Sequence, residues 1–246
     1  MTLVLLPGLD GTGNLFAPLI PELPRNLNVI TAAYPSERFL PYPELVSWLG
    51  EQVPRHGPLV ILGESYGSTL AVKFAATRPS NLIGVILCAG FISNPVRRWG
   101  PLPKLFARPL FFRFRPPDFL REYFIVGSRA PQSLKIAVRQ TVRSGRPEVL
   151  AKRARAIIDC DARNEIGQVN IPLLYLQATE DKLVGRECLD EIKRLHPETI
   201  SISIRAPHLL LQREPHAAAR AIAQFLDTLC TRNGSGIESS TITPEY

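Results

Sequence analysis

A sharp turn between a buried strand and a helix is the feature that most constrains this sequence. The pentapeptide Gly63-Glu64-Ser65-Tyr66-Gly67 directly follows an apolar run at 59–62 and directly precedes a helix-like stretch at 69–76. Glycines two positions either side of the serine leave room for a crossing chain, so we expect a strained serine at the apex. Its exposed hydroxyl, beside the first N–H groups of a helix, can attack a carbonyl group whose oxyanion those groups then hold.

A serine nucleophile of this kind needs an acid and a base further along the chain. Asp181 follows a predicted buried strand at 171–177, and His208 follows a predicted alternating strand at 200–204. Open α/β sheets bind ligands beyond the carboxyl ends of their strands, and Ser65 lies at such an end too. The sequence therefore predicts that these three side chains meet at one edge of a sheet.

Two of these residues have rivals nearby in the sequence. Glu180 directly precedes Asp181, and either carboxylate is also compatible with a solvated loop; the spacing of the motif favours Asp181. His216 begins the last predicted helix and competes with His208, which is favoured because it lies nearer a strand end. The other two histidines have the sequence environment of surface residues.

The glycine-flanked segments also allow simpler interpretations. Ser65 could cap the following helix, because serine is a favoured N-cap residue, but Ser68 and Thr69 are available for that purpose. The glycines between residues 8 and 13 suggest a dinucleotide loop, yet their order is G-x-x-G-x-G rather than G-x-G-x-x-G. A nucleotide-binding fold is the weaker hypothesis.

Four segments in order make the chain resemble the α/β-hydrolase superfamily. Residues 5–11 resemble its oxyanion loop, 63–67 its nucleophile turn, 178–184 its acid turn and 206–208 its histidine loop. The resemblance covers about residues 2–92 and 170–229. It departs from the usual pattern where Pro7-Gly8 replaces His-Gly and where Ala178 replaces a glycine.

The resemblance implies a role for each candidate residue. Ser65 would be the nucleophile, His208 the general base and acid, and Asp181 the group that orients the imidazole. The backbone N–H groups of Leu9 and Tyr66 would hold the oxyanion. A backbone donor does not depend on the side chain that precedes it, so the departure at Pro7-Gly8 leaves this assignment in place.

The distribution of apolar runs predicts one doubly wound, mostly parallel α/β sheet with an inserted helical cap. Strands are expected near 2–6, 27–33, 58–63, 82–89, 171–177 and 200–204, with connections long enough for right-handed crossovers. Residues 1–92 and 166–230 would form the hydrolase core and 93–165 the cap. Residues 231–246 are mostly small or polar, and we expect a disordered tail there. Within the cap, helices are predicted to begin at Pro116-Pro117-Asp118 and to span about 131–144 and 147–160.

Positive charge is concentrated in the predicted cap. Residues 93–163 hold 16 Lys and Arg against 5 Asp and Glu, whereas the whole chain has a net charge of +7. Lys135, Arg139 and Arg143 recur every four residues and share one helix face, which is either a solvated surface or a site for an anionic substrate or carrier. A third hypothesis is an anionic membrane surface reached through Phe106, Phe111, Phe112 and Phe114. Nucleic acid is not favoured, because no known binding motif accompanies the charge.

The remaining features fit a cytoplasmic enzyme that needs no cofactor or metal. The four cysteines are widely separated, and the apolar residues 2–6 have no basic flank and run into Pro7-Gly8, as in a strand rather than a signal peptide. No apolar run is long enough to span a membrane. We expect a serine hydrolase of small-molecule carboxylic esters that acts through an acyl-enzyme. The alternatives are an esterase or thioesterase for substrates bound to an acidic acyl carrier protein, and a noncatalytic hydrolase-like binding module.

Overall fold

Six parallel strands form one sheet in the computed structural model, which describes residues 1–100, 102–114, 122–127 and 129–234. Their order across the sheet is β2-β1-β3-β4-β5-β6. All six predicted strands are present within a few residues of their predicted bounds, and every pairing is parallel. The strands are β1 Thr2–Leu6, β2 Asn28–Thr31, β3 Leu59–Glu64, β4 Leu82–Cys88, β5 Leu173–Ala178 and β6 Ile200–Ile204.

Helices cover both faces of this sheet, which explains why the central strands are apolar throughout. Successive residues of β1 alternate between two cores: Val4 and Leu6 pack on one face, and Leu3 and Leu5 pack on the other. The described helices are α1 Tyr42–Gln52, α2 Tyr66–Ala76, α3 Leu102–Phe106, α4 Pro109–Phe114, α5 Gln132–Ser144, α6 Pro147–Ile158, α7 Arg163–Ile166, α8 Arg186–Leu195, α9 Leu210–Arg213 and α10 Pro215–Gly234. The doubly wound α/β fold is confirmed.

Residues 93–165, which we call the cap, connect β4 to β5 mainly through helices α3 to α6. The two helices predicted at 131–144 and 147–160 are present as α5 and α6. The helix predicted to begin at Pro116-Pro117-Asp118 lies outside the described residues. A third, small apolar cluster joins Leu134 and Val138 of α5 to Leu209 of the core.

The predicted tail begins later than the sequence suggests. Helix α10 continues to Gly234. Residues 231–234 are therefore helical rather than part of a tail. The remainder of the predicted tail lies outside the described residues.

Candidate active site

Ser65 occupies a strained turn between β3 and α2. Its backbone has φ 50° and ψ −113°, in a region that residues with a Cβ rarely adopt, and its N–H donates to the Cys88 carbonyl oxygen at 2.9 Å. A Cβ on Gly63 would lie 2.3 Å from the Gly67 carbonyl oxygen, and one on Gly67 would lie 2.4 Å from the Leu6 carbonyl oxygen. Both flanking glycines are required because backbone atoms cross at these positions.

A continuous hydrogen-bonded chain links the three predicted catalytic side chains. Ser65 Oγ lies 3.0 Å from His208 Nε2, and His208 Nδ1 lies 2.7 Å from Asp181 Oδ2. The second carboxylate oxygen, Oδ1 of Asp181, accepts the N–H groups of Leu183 at 2.8 Å and Val184 at 3.0 Å. These two backbone donors fix the orientation of the carboxylate. The structure therefore brings Ser65, His208 and Asp181 together although they are far apart in the sequence.

The surroundings of His208 favour its protonated form. Burial works against a charged imidazole, but the Asp181 carboxylate, with a smaller contribution from Glu64, raises the pKa of His208 above its ordinary value. The imidazole can consequently take up a proton and hold it during a reaction at Ser65. The hydrogen bond from Nδ1 to Asp181 leaves Nε2 as the nitrogen that faces the serine hydroxyl.

Glu64, the residue before the serine, is buried and has no cationic partner among the described residues. Its two carboxyl oxygens face Gln212 Nε2 at 3.0 and 3.3 Å. Burial raises the pKa of Glu64 to about 7, although the Gln212 hydrogen bond and the nearby His208 lower it. The sequence pattern assigned no function to Glu64, although a carboxylate directly beside the predicted nucleophile was a signal for one.

The rival residues lie elsewhere. Glu180 is about half exposed and forms an ion pair with Arg205 at 2.7 Å. His216 is largely exposed and pairs with Glu22 at 2.6 Å.

Neither Ser68 nor Thr69 caps helix α2, in contrast to the sequence-based suggestion. Both lie inside the helix, where Ser68 Oγ donates to the Ser65 carbonyl oxygen at 2.5 Å and Thr69 Oγ1 donates to the Phe91 carbonyl oxygen at 2.9 Å. Ser65 itself makes no side-chain cap hydrogen bond.

The loop after β1 passes directly beside the serine. A Cβ on Gly8 would lie only 3.7 Å from Ser65 Cβ, and the Gly8 carbonyl oxygen accepts the Gly11 N–H at 3.1 Å, which closes a turn with Leu9 and Asp10 at its centre. Among the described residues, no backbone hydrogen bond is found for the N–H of Leu9 or of Tyr66. Both N–H groups thus remain available to an acceptor.

An apolar cavity of about 610 Å³ opens onto Ser65 and His208. Core and cap residues both contribute to its walls, and apart from Ser65 and His208 the described side chains that line it are aliphatic or aromatic. Its lining includes Phe91, Val96, Trp99, Leu102, Phe111, Phe112, Phe124, Ala154, Ile157, Ile158, Leu183 and Val184. Such a cavity accommodates a hydrocarbon substituent, and away from Ser65 and His208 its described walls offer no group to compensate a buried charge.

The cap residues singled out for their charge do not line this cavity. Lys135, Arg139 and Arg143 lie on α5, with Lys135 and Arg139 partly buried and Arg143 exposed. Part of the positive charge of the cap instead pairs with the core: Arg98 contacts Glu187 at 2.6 Å, Arg97 contacts Glu191 at 3.7 Å, and Arg146 contacts Glu37. Some of the excess positive charge of the cap therefore forms ion pairs between the cap and the core.

In the part of the chain that the structure describes, no group of three His, Cys, Asp or Glu side chains is arranged to hold a metal ion. None of the helices in the described ranges has the length and apolar character needed to cross a bilayer.

Fold and site together define an α/β-hydrolase. Residues 43–216 match the family model described as serine aminopeptidase, S33, and the chain belongs to this family of α/β-hydrolases. The resemblance inferred from the four sequence segments is thereby confirmed.

The chain is also similar to one protein in sequence and to several solved structures in fold. The biotin biosynthesis bifunctional protein BioHC of Cellvibrio japonicus is 25% identical over 235 residues, which cover 92% of this chain and 45% of that protein. The chain thus spans about half the length of this relative. A carboxylesterase of Nitrososphaera gargenis superposes with a TM-score of 0.79 at 16% identity, over 94% of this chain and 91% of that one. The esterase EaEST of Exiguobacterium antarcticum gives 0.78 at 15% identity, over 92% of each chain. At these identities the solved structures show the shared fold.

Proposed function

We propose that this chain is a serine hydrolase that cleaves carboxylic esters through an acyl-enzyme. The observation that carries the proposal is the hydrogen-bonded chain from Ser65 Oγ through His208 to Asp181, which opens onto an apolar cavity. A nucleophile, a base within hydrogen-bond reach of it and a carboxylate that orients the base are the three groups with which a Ser-His-Asp triad catalyses acyl transfer.

Acylation begins when Ser65 Oγ attacks the ester carbonyl carbon while His208 Nε2 takes the hydroxyl proton. The carbonyl oxygen becomes an oxyanion, and the N–H groups of Leu9 and Tyr66 stabilise it by hydrogen bonding. Asp181 stabilises the imidazolium through Nδ1 and remains ionised. His208 then donates its proton from Nε2 to the leaving alcohol, the carbon–oxygen bond breaks, and the acyl group stays on Ser65.

Deacylation repeats these steps with water in place of the serine hydroxyl. His208 Nε2 takes a proton from water, the hydroxide attacks the acyl carbon, and the same N–H groups hold the second oxyanion. The proton returns from His208 to Ser65 Oγ as the carboxylic acid leaves. The enzyme is regenerated without any cofactor.

The apolar cavity supports the proposal that the acyl group of the ester is apolar and binds there. The described side chains that line it are apolar apart from Ser65 and His208, so each methylene of an acyl chain that enters it contributes roughly 0.8 kcal/mol of transfer free energy. A terminal charge on the chain would lose its hydration there without gaining a partner. We therefore propose uncharged esters with apolar acyl chains as the substrate class.

Two measurements on the purified protein test this proposal. A fluorophosphonate probe should label wild type at Ser65, located by peptide mass spectrometry, and should not label Ser65→Ala. Hydrolysis of p-nitrophenyl esters from acetate to dodecanoate should show kcat/KM rising with chain length until the cavity is filled. A chain that is neither labelled nor active on any of these esters would instead be a noncatalytic binding module.

An ester or thioester on an acidic acyl carrier protein is a second candidate substrate. It is favoured by the positive charge of the cap and by the similarity to a protein named for biotin biosynthesis. The site is proposed to act in the cytoplasm, since all four cysteines are free thiols. Long-range attraction between a basic cap and an acidic carrier should raise the association rate by about 10-fold or more at low salt.

Salt dependence distinguishes this second candidate from the first. For a carrier-bound ester, kcat/KM should fall steeply between 10 and 150 mM salt, where screening shortens the Debye length from roughly 30 to 8 Å. For p-nitrophenyl butyrate it should stay nearly constant. The double variant Lys135→Gln, Arg143→Gln should reduce the first dependence and spare the second; equal salt dependence for both substrates would exclude docking on α5.

A further inference from the structure

Arg153 is a buried cation that contacts the loop beside Ser65 from the cap. Its side chain is 4% exposed, and Nη1 donates to the carbonyl oxygens of Leu9 at 3.2 Å and Asp10 at 2.7 Å. Nη2 donates to the Pro35 carbonyl oxygen at 3.0 Å. Burial lowers the pKa of the Arg153 guanidinium, against the smaller opposing effects of nearby acidic groups. Burying a charge costs free energy, and the hydrogen bonds to these three carbonyl oxygens offset that cost for the guanidinium.

The two carbonyl groups that Arg153 binds on this loop belong to the centre of a turn. The Gly8 carbonyl oxygen accepts the Gly11 N–H, and the peptide unit between Gly8 and Leu9 carries both that oxygen and the Leu9 N–H. This peptide unit is thus held at its oxygen by the turn, while the next two peptide units are held by the guanidinium. The direction of the Leu9 N–H, our proposed oxyanion donor, follows from these contacts together.

The turn leaves no space for a side chain at position 11. Gly11 has φ +74°, and a Cβ at this position would lie 2.1 Å from Arg153 Nη1. Tyr34 holds the same loop through two hydrogen bonds. Its hydroxyl donates to the Pro7 carbonyl oxygen at 2.9 Å, and its N–H donates to the Gly11 carbonyl oxygen at 2.8 Å. The Arg153 guanidinium carbon lies 5.3 Å from the Tyr34 ring centroid, within cation–π distance.

Helix α6, which carries Arg153, also lines the substrate cavity. Ala154, Ile157 and Ile158 contribute to the cavity wall, whereas Arg153 points to the loop. An acyl chain that packs against this helix therefore contacts the element that holds the Leu9 carbonyl. Binding energy from a remote part of a substrate can raise kcat when it is used to organise groups at the reacting carbon.

We propose that Arg153 is a positioning residue that fixes the Leu9 N–H in the oxyanion hole and couples it to occupation of the cavity by the acyl chain. The inference rests on the proposed function, because it concerns how that reaction is accelerated. It predicts that the acyl chain raises kcat as well as lowering KM. It also predicts that removing the guanidinium reduces stabilisation of the oxyanion more than binding of the ester.

The test compares Arg153→Met with Arg155→Met, a matched control on the exposed side of the same helix. Loss of one oxyanion donor costs about 10²–10³ in kcat, so a donor that is present but misaligned should cost about 10–100-fold. Arg153→Met should show this loss in kcat for p-nitrophenyl octanoate with KM changed less than about threefold. Affinity for an aliphatic trifluoromethyl ketone, whose adduct with Ser65 carries an oxyanion, should fall by a similar factor.

Chain-length dependence provides the readout that a merely structural role would not change. In wild type and Arg155→Met, kcat should be higher for octanoate than for acetate; in Arg153→Met the two values should converge. Arg153→Lys, which keeps the charge but not the fork of donors, should recover part of the kcat and carries the test if Arg153→Met does not fold.

Two results separate the inference from the proposed function. Folded Arg153 variants with the kcat, ketone affinity and chain-length dependence of Arg155→Met would overturn the inference while wild-type ester hydrolysis stands. A wild type that neither hydrolyses esters nor reacts at Ser65 would overturn the proposed function itself.

Discussion

Replacing Asp181 by asparagine tests the orientation of the imidazole with almost no change in shape. Oδ1 of Asp181 accepts two backbone N–H groups, from Leu183 and Val184, so the amide oxygen of the introduced asparagine must occupy that position. The amide NH₂ then faces His208 Nδ1, which lies 2.7 Å from Oδ2 in the wild type. Two donors cannot face each other, so Nδ1 must lose its proton and Nε2 must carry one. The nitrogen beside Ser65 is then a donor and cannot accept the serine proton.

The expected cost is up to about 10⁴ in kcat, equivalent to about 5 kcal/mol of transition-state stabilisation. It should be measured as kcat for p-nitrophenyl butyrate at pH 8, with thermal unfolding to establish that the variant is folded. Glu180→Gln is the matched control, because it makes the same chemical change one residue earlier at an exposed carboxylate paired with Arg205. It should keep kcat within about twofold of wild type.

A folded Asp181→Asn enzyme with more than a tenth of wild-type kcat would refute this account of the site. A larger loss in Glu180→Gln than in Asp181→Asn would move the acid to the neighbouring residue. Either outcome would mean that the hydrogen bonds to Leu183 and Val184 do not set the tautomer of His208.

Four further substitutions test other parts of the site. Ser65→Ala should lower kcat by about 10⁴–10⁶ in the same ester assay and leave the melting temperature within a few degrees. His208→Ala should be comparably severe, whereas kcat of His216→Ala should stay near wild type, since His216 is exposed and pairs with Glu22; the reverse order would misplace the base. Burial raises the pKa of Glu64 from 4.5 to about 7, so the folded state binds its proton more tightly and the wild type loses stability as pH rises through that window. Relative to wild type, Glu64→Gln should gain about 3 kcal/mol in urea unfolding between pH 4.5 and 8, and a constant difference would contradict this.

Local chemistry made most of the fold predictable. The apolar runs that became β1, β3 and β4 are short, bounded by turn residues and too continuous for a one-sided strand, which is typical of a sheet covered on both faces. The glycines around Ser65 predicted its strained turn because only glycine tolerates the backbone contacts found there. Ser65, Asp181 and His208 could be proposed as neighbours because carboxyl ends of parallel strands share one edge.

The partners of individual side chains depended on which helices and loops pack against each other. Arg153 lies among apolar positions of α6, three residues after Leu150 and four before Ile157, and that position signals an inward direction without identifying an acceptor. Lys135, Arg139 and Arg143 form a regular basic pattern, yet the structure places them away from the cavity.

The sequence by itself determined the strands, the strained serine and the edge of the sheet where a site can form, because strand periodicity, turn geometry and parallel topology depend on neighbouring residues. Only the tertiary structure decided the apolar cavity, the buried pair of Glu64 and Gln212, and the hydrogen bond from Arg153 to the Leu9 carbonyl oxygen. The physical reason is that a buried polar group must find its partner across the fold, and that partner is set by helix packing over the sheet. Packing joins residues 144 positions apart in the case of Leu9 and Arg153, a relation that no local pattern contains.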